Sequence, residues 1–165
     1  MVKQLIIIRH AIAEDPTTDK SDSERVLTLK GIERMKRAAK GLKKICPEIQ
    51  AVVTSPYSRA TATAEIIAST YGLKDILTTS YLEPGKDRTA LLRKLNQLPY
   101  ESIAIIGHQP DLGLFANLLI NGNLYSPFNL KKGGMIMISV QDGLMRASSE
   151  LQWFMSPKQL RMLAR

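Results

Sequence analysis

The chain has 165 residues, with 23 lysines and arginines against 15 aspartates and glutamates, and its formal net charge is therefore +8. This length suits a single domain with its own hydrophobic core, and the apolar run at residues 5–8 is too short for a signal peptide or a membrane span. The positive charge favours anionic substrates and acidic partners, but an aromatic content of 5% leaves few side chains on which nucleic acid bases could stack. We therefore expect a cytoplasmic protein that binds neither membrane nor nucleic acid.

Short apolar runs alternate with stretches of helical periodicity, which is typical of an α/β domain with a largely parallel sheet. The run at residues 5–8 is continuous rather than alternating, so we expect a strand in the middle of that sheet. Residues 13–26 are rich in Asp, Ser and Thr and are long enough to form a functional loop. A helix is predicted between an N-cap at Thr28 and Pro47. The lone cysteine, Cys46, excludes an intramolecular disulfide and is predicted to be a buried structural thiol.

The rest of the chain continues the alternation of strands and helices. Further strands are predicted at residues 51–54, 76–78, 103–106, 135–140 and 145–153. Further helices are predicted at residues 59–71, 91–98 and 110–119, and after Pro157. Asp142-Gly143 between the last two strands is a strong signal for a hairpin. The predicted fold class is a three-layer α/β/α arrangement with a mostly parallel central sheet.

The only two histidines, His10 and His108, each follow a predicted buried strand. In open α/β sheets, ligands bind outside the carboxyl ends of the parallel strands, so the two side chains are expected to approach one another there. Arg59 lies at the start of the helix that follows residues 51–54, where both its side chain and the helix N-terminus can face an anion. Together with Arg9, these residues are predicted to converge on one site.

Two arginines and two histidines form a pocket suited to a phosphoryl group, because guanidinium groups match phosphate oxygens and stay charged at any working pH. A neutral His10 could attack phosphorus and be captured as a phosphohistidine, which water would then hydrolyse. His108 would stabilise the equatorial oxygens during transfer. Three alternatives remain: a two-histidine metal hydrolase, a domain that binds phosphate or an acidic protein without catalysis, and an RNA-binding domain. A metal is disfavoured, because no carboxylate stands at ligand spacing and the arginines would repel a cation.

Short motifs along nearly the whole chain resemble those of the histidine phosphatase superfamily (phosphoglycerate mutase-like), and specifically its short bacterial phosphohistidine phosphatases of the SixA type. They read Arg-His at residues 9–10, Leu-Thr-x-x-Gly at 27–31, Ser-Pro-x-x-Arg-Ala-x-x-Thr-Ala at 55–64, Gly-His at 107–108 and Met-Ser-Pro-x-x-Leu at 155–160. One departure is Ala11, which replaces the glycine of the family's Arg-His-Gly motif. Because alanine is small, we expect the change to be tolerated.

The resemblance implies that His10 is the nucleophile, that Arg9, Arg59 and His108 bind the phosphoryl group, and that neither a metal nor an organic cofactor is needed. Many family members carry an acidic proton donor in the loop after the third strand, and Glu83 is the candidate here. A solvated loop carboxylate beside the turn-forming Pro-Gly is the alternative interpretation.

The substrate implied by the resemblance is phosphohistidine on a partner protein, such as a histidine phosphotransfer domain or a phosphorelay kinase in signal transduction. The short chain leaves no room for the inserted lids that close over small phosphate esters, and an open pocket can admit a side chain from another protein. A phosphatase or mutase acting on small esters is the alternative enzyme. Arg25 and Asp111 could reach the pocket rim from their loops, but we prefer a structural or surface role for both and leave them out of the catalytic set.

Overall fold

The computed structural model describes residues 1 to 165 and centres on one six-stranded sheet. The strands are β1 (Gln4–Arg9), β2 (Ala51–Thr54), β3 (Ile76–Thr78), β4 (Ser102–Gly107), β5 (Met135–Val140) and β6 (Ser149–Met155). Their order across the sheet is β3-β2-β4-β1-β5-β6. The first four in this order are parallel, whereas β5 and β6 each run antiparallel to the strand before them. The carboxyl ends of β2, β4 and β1 therefore meet at one edge.

Helices cover both faces of the sheet, as the predicted three-layer architecture requires. They are α1 (Leu29–Ile45), α2 (Ser58–Tyr71), α3 (Arg88–Asn96), α4 (Asp111–Asn121) and α5 (Pro157–Leu163). One buried cluster joins Ile6 and Ile8 to α1, α2 and α5, and the other joins Leu5 and Ile7 to α3 and α4. Successive residues of β1 thus face opposite cores, which explains why its apolar run is continuous. No helix combines the length and the apolar character needed to cross a membrane.

Most element boundaries agree with those predicted from the sequence. β1 lies inside the sheet between β4 and β5, and Thr28 Oγ1 accepts a hydrogen bond from the Gly31 amide at 3.0 Å at the start of α1. Gly72 ends α2 with a φ of 72°, in the left-handed region that favours glycine. Cys46 is buried, and its sulfur accepts a hydrogen bond from the Gln4 side-chain amide. Burial raises the pKa of this thiol, as expected for a structural cysteine.

The strands on either side of Asp142-Gly143 pair antiparallel, which confirms the predicted hairpin, but the connection is longer than predicted because the chain does not return directly into a strand. Leu144 is fully buried instead, and the side chain of Asn96 bonds to both its amide and its carbonyl at 2.9 and 2.8 Å. The chain then passes the end of α4, where the Ala147 amide donates to the Leu118 carbonyl. β6 consequently begins at Ser149 rather than at residue 145.

Candidate active site

The carboxyl edge of the parallel strands brings together the residues predicted from the sequence. His10 directly follows β1, His108 directly follows β4, and Arg59 lies in the first turn of α2, which follows β2. The two imidazole centroids are 5.3 Å apart. All three side chains are nearly excluded from solvent, with exposed fractions of 3 to 5%. The carboxyl edge of the sheet therefore carries a compact, buried cluster of two imidazole rings and one guanidinium group.

The hydrogen bonds of His10 define its tautomer. Nδ1 lies 2.7 Å from the carbonyl oxygen of Ala11, and because a carbonyl can only accept, Nδ1 carries the proton. Nε2 is then the unprotonated nitrogen, and it accepts a hydrogen bond from Arg59 Nε at 3.2 Å. Burial, reinforced by the charges of Arg59 and Arg9, lowers the pKa of His10 to about 3. The imidazole is therefore neutral at physiological pH, with its lone pair pointing at a guanidinium group.

His108 has the opposite arrangement of protons. Its Nδ1 lies 3.3 Å from Arg59 Nη2, which can only donate, so the proton is on Nε2. Nε2 in turn lies 2.9 Å from Ser55 Oγ, which accepts that proton. Burial first, and then the charge of Arg59, lower the pKa of His108 to about 4. A phosphoryl dianion placed beside this ring would favour its cationic form, in which both nitrogens donate.

Arg59 is the residue that links the cluster to the loop before α1. Besides its bonds to the two histidines, Nη2 donates to Asp22 Oδ2 at 2.9 Å and Nη1 donates to the Asp22 carbonyl. The guanidinium group also lies over the ring of Tyr57, 5.1 Å from its centroid. Arg25 holds the other carboxylate oxygen of Asp22 at 2.6 Å. Burial by itself would raise the pKa of Asp22, but the hydrogen bonds from Arg25 and Arg59 lower it below its usual value.

Arg9 ends β1 with a half-buried guanidinium group. Nη1 donates to the Leu130 carbonyl at 2.7 Å, and Nε is buried without an acceptor from the protein. Burial and the nearby charge of Arg59 both lower the pKa of Arg9. The charge of Arg9 thus lies near that of Arg59, and no carboxylate pairs with Arg9. This arrangement favours an oxyanion as a ligand shared by the two guanidinium groups.

Backbone hydrogen bonds fix the segment that carries His10. Its amide donates to the Gly107 carbonyl at 3.1 Å, and its carbonyl accepts from the Gly133 amide at 3.0 Å. The Ala11 amide donates to Thr63 Oγ1, whose own proton goes to the Arg59 carbonyl. Ala11 is not among the residues with positive φ. The backbone after His10 therefore does not need a conformation that only glycine adopts easily, in agreement with the expectation for this position.

The structure places the other predicted candidates outside this cluster. Glu83 follows a one-turn helix at Ser80–Leu82, and its carboxylate contacts Lys86 at 3.9 Å but forms no hydrogen bond with the two histidines or two arginines. The Leu82 carbonyl packs against Gly107, where an added Cβ would lie 3.2 Å from it, so this loop runs past the strand end before His108. The role of Glu83 stays a prediction.

Asp111 and Arg25 have structural contacts, as preferred from the sequence. Asp111 pairs with Arg88 and accepts a hydrogen bond from the Gly85 amide at 3.2 Å, so it anchors the loop that contains Glu83. Arg25 donates to the Glu14 carbonyl and to Asp22. No group of three or more His, Cys, Asp and Glu side chains is arranged to hold a metal ion.

Two polar residues of the cluster were not predicted from the sequence. Ser55 directly follows β2, so its position at a strand end was an available signal. Asp22 lies in the irregular stretch 13–26, where only the length of the loop suggested a function. For neither residue does the surrounding sequence indicate which side chain it contacts.

Comparisons with known proteins agree with this geometry. Residues 5–83 match the family model of the histidine phosphatase superfamily (branch 1). An uncharacterised protein from Picosynechococcus sp. is 33% identical over 162 residues, which cover 95% of this chain and 98% of the relative. The solved structure of the protein histidine phosphatase SixA complexed with tungstate is 27% identical and has a TM-score of 0.82, with 95% of this chain and 99% of that chain covered.

More distant structures share the fold. A structure from Agrobacterium tumefaciens that carries the name SixA is 18% identical, with a TM-score of 0.79 and coverage of 95% of this chain and 99% of that one. A phosphoserine phosphatase mutant from Entamoeba histolytica, in complex with phosphoserine, is 17% identical, with a TM-score of 0.69 and coverage of 95% and 98%. The same architecture therefore occurs in proteins described as acting on different phosphorylated compounds.

Proposed function

Because the chain belongs to the histidine phosphatase superfamily and is a phosphatase of the SixA type, we propose that it hydrolyses phosphohistidine on a partner protein through a covalent intermediate at His10. One observation carries the catalytic part of this proposal: Arg59 Nε donates to the unprotonated Nε2 of His10 at 3.2 Å. A phosphoryl oxygen that takes over this hydrogen bond places phosphorus beside the lone pair.

In the first step, His10 Nε2 attacks phosphorus and the bond between phosphorus and the substrate nitrogen breaks. The electron pair of that bond returns to the departing imidazole. Arg9 and Arg59 neutralise the equatorial oxygens, and His108 donates to them once the phosphoryl dianion favours its cationic form. Since Arg59 is nearly excluded from water and Arg9 is half-buried, their hydrogen bonds to the transition state are stronger than the same bonds in solution.

In the second step, water attacks the phosphoryl group on His10 and inorganic phosphate departs. The phosphorylated ring is cationic, because Nδ1 keeps its proton on the Ala11 carbonyl. A neutral imidazole is therefore released when the second phosphorus–nitrogen bond breaks, and His10 recovers its original tautomer. Each of the two displacements is easier than direct attack of water on the substrate.

Leaving-group chemistry supports phosphohistidine as the substrate. Glu83 forms no hydrogen bond with the two histidines or the two arginines, so the cluster does not itself hold an acid against a departing oxygen. An imidazole has a conjugate-acid pKa of about 6.5 and departs without such help, whereas an alkoxide resembles hydroxide, whose conjugate acid has a pKa of about 15.7. The similar solved structure described as a protein histidine phosphatase, which the chain matches over 95% of its length, supports the same choice.

The test is phosphate release from a histidine phosphotransfer domain carrying phosphohistidine, measured with wild-type protein and with His10→Ala, each with and without EDTA. We expect release that persists in EDTA and is lost in His10→Ala. A wild type that releases phosphate only from small phosphate esters would replace the proposed substrate by the ester alternative. Release that EDTA abolishes would exclude the metal-independent mechanism.

A further inference from the structure

A row of basic side chains begins beside Ala11, the residue after the nucleophile in the chain, and runs across α1 and α5. We call it the basic strip, and its members are Arg34, Arg37, Lys132, Lys158, Arg161 and Arg165. A small cleft of about 40 Å³ is lined by Ala11 and Gly133 together with three of these cations. Gly133 donates its amide to the His10 carbonyl. Lys132 of the strip is therefore the neighbour in the chain of Gly133, whose amide holds the backbone of His10.

The strip continues into a second hollow of about 430 Å³ on the outer side of α1 and α5. Arg161 lines both hollows, so one side chain of the strip borders each of them. The lining of the second hollow consists of Arg37, Lys158, Arg161 and Arg165 with Met162. Neither hollow is lined by an acidic residue.

Close packing of two helices creates this concentration of charge. An added Cβ at Gly41 of α1 would lie 1.9 Å from the Leu160 carbonyl of α5, so the two backbones touch. Arg34 and Arg37 on α1 are thereby brought beside Arg161 on α5, and after burial their two charges are what lowers the pKa of Arg161. Like charges held together by a rigid contact repel one another, and this repulsion is relieved when an anionic surface binds.

The six cations of the strip have no partners within the protein. None of them takes part in any of the six salt bridges of the structure. The lysines on the other side of α1 differ in this respect: Lys43 donates to the Thr70 carbonyl, and the groove that they line includes Glu65. The strip thus lacks the acidic residue that the groove on the other side of α1 contains.

We propose that the basic strip docks an acidic surface of the phosphorylated protein while its phosphohistidine occupies the site at His10. This inference rests on the proposed function, and it adds the chemistry by which the partner is recognised. A protein fits better than nucleic acid, because the strip contains no aromatic side chain on which a base could stack. Contact between oppositely charged surfaces raises the association rate, and salt weakens it.

The experiment compares two double variants that carry the same change in charge on the surface of the protein. Arg37→Glu with Lys158→Glu reverses the strip, and Lys36→Glu with Lys40→Glu reverses the other side of α1. All four residues are exposed, so both variants are expected to fold. Each is assayed for kcat/KM at low and high salt, with a phosphorylated acidic histidine phosphotransfer domain and with phosphoimidazole.

We expect the strip variant to lose about tenfold or more in kcat/KM for the protein substrate at low salt, with a weaker salt dependence and no change for phosphoimidazole. The control variant is expected to stay within about twofold of wild type for both substrates. Equal losses in the two variants, or no loss in the strip variant, would overturn the docking surface.

A binding measurement separates this inference from the proposed function. His10→Ala is titrated with the same phosphorylated domain, with and without the strip substitutions. If wild type does not turn over the domain, yet binding depends on the strip, the docking surface stands and the proposed activity does not. Binding that is absent, or indifferent to the strip, rejects docking. A strip that binds an oligonucleotide or anionic vesicles more tightly than the domain also rejects it.

Discussion

Asp22 holds Arg59 by two of its three guanidinium nitrogens: its carboxylate accepts from Nη2 at 2.9 Å and its carbonyl accepts from Nη1. A phosphoryl group needs the same donors, so it has to compete with a carboxylate for them. The Arg59 side chain is only 5% exposed, whereas 53% of the Asp22 side chain is exposed. Asp22 is therefore the member of the pair that can withdraw when an anion binds.

Replacing Asp22 by Asn is expected to tighten the binding of inorganic phosphate and tungstate. The amide oxygen can still accept from Arg59, but the negative charge beside the site is gone, and a gain of about tenfold corresponds to about 1.4 kcal/mol. The measurement is the inhibition constant of each anion. Asp19→Asn, in the exposed part of the same loop, is the matched control. Weaker anion binding in Asp22→Asn would mean that the carboxylate mainly orients Arg59.

Both histidines are expected to remain neutral well below pH 6. Burial lowers the pKa of His10 to about 3 and that of His108 to about 4. Because the chain has only two histidines, NMR titration of the imidazole Cε1 protons reports on both, with His108→Asn to assign them. A midpoint near 6.5 for either ring would contradict the account of the site.

The same pKa values predict how stability depends on pH. Each histidine binds its proton less readily in the folded state than in the unfolded chain. The stability of the fold is therefore not reduced by histidine protonation above about pH 6.5, where both states hold the ring neutral. As pH falls from there towards about 4, stability decreases by up to about 1.4 kcal/mol per pH unit for each histidine. Urea unfolding at several pH values measures the slope, and His108→Asn should reduce it. An unchanged slope in the variant would show that other groups cause the acid sensitivity.

Ser55→Ala is expected to impair His108 without removing it. The hydroxyl accepts the Nε2 proton at 2.9 Å, and its loss leaves a buried donor without a partner, which costs about 1–3 kcal/mol of stability. The ring also loses one of the two contacts that hold it in its tautomer and orientation, so kcat should fall more than KM changes. Ser58→Ala, three residues further along the chain, is the control. A Ser55→Ala variant with normal kcat would show that the tautomer of His108 is unimportant for transfer.

Glu83→Gln is expected to slow the hydrolysis of phosphate esters far more than that of phosphohistidine. Only an alkoxide leaving group requires a strong acid, and the loop that carries Glu83 packs against the chain just before His108. The comparison is kcat/KM for a phosphohistidine protein and for an ester such as phosphoglycerate, with Glu101→Gln as a control at an exposed site. Equal losses on both substrates would contradict this role.

The sequence by itself determined most of the sheet and predicted the four residues that the structure brings together at its carboxyl edge. The continuous apolar run of β1 indicates a strand buried on both faces, and the two histidines each follow such a strand. These signals are local in the sequence, and the rule that ligands bind at the carboxyl ends of parallel strands turns them into a site. The motif at residues 55–64 places Arg59 at that edge in the same way.

Only the tertiary structure decided which atoms meet. Asp22 and Arg59 are 37 residues apart, and Ser55 and His108 are 53 apart, so no local pattern links either pair. The tautomers of the histidines follow from these contacts and from burial. The basic strip likewise exists only because α1 and α5 pack closely, and the detour at Leu144 exists because the core accepts that side chain. Such features depend on distances and solvent exclusion, which periodicity along the chain does not encode.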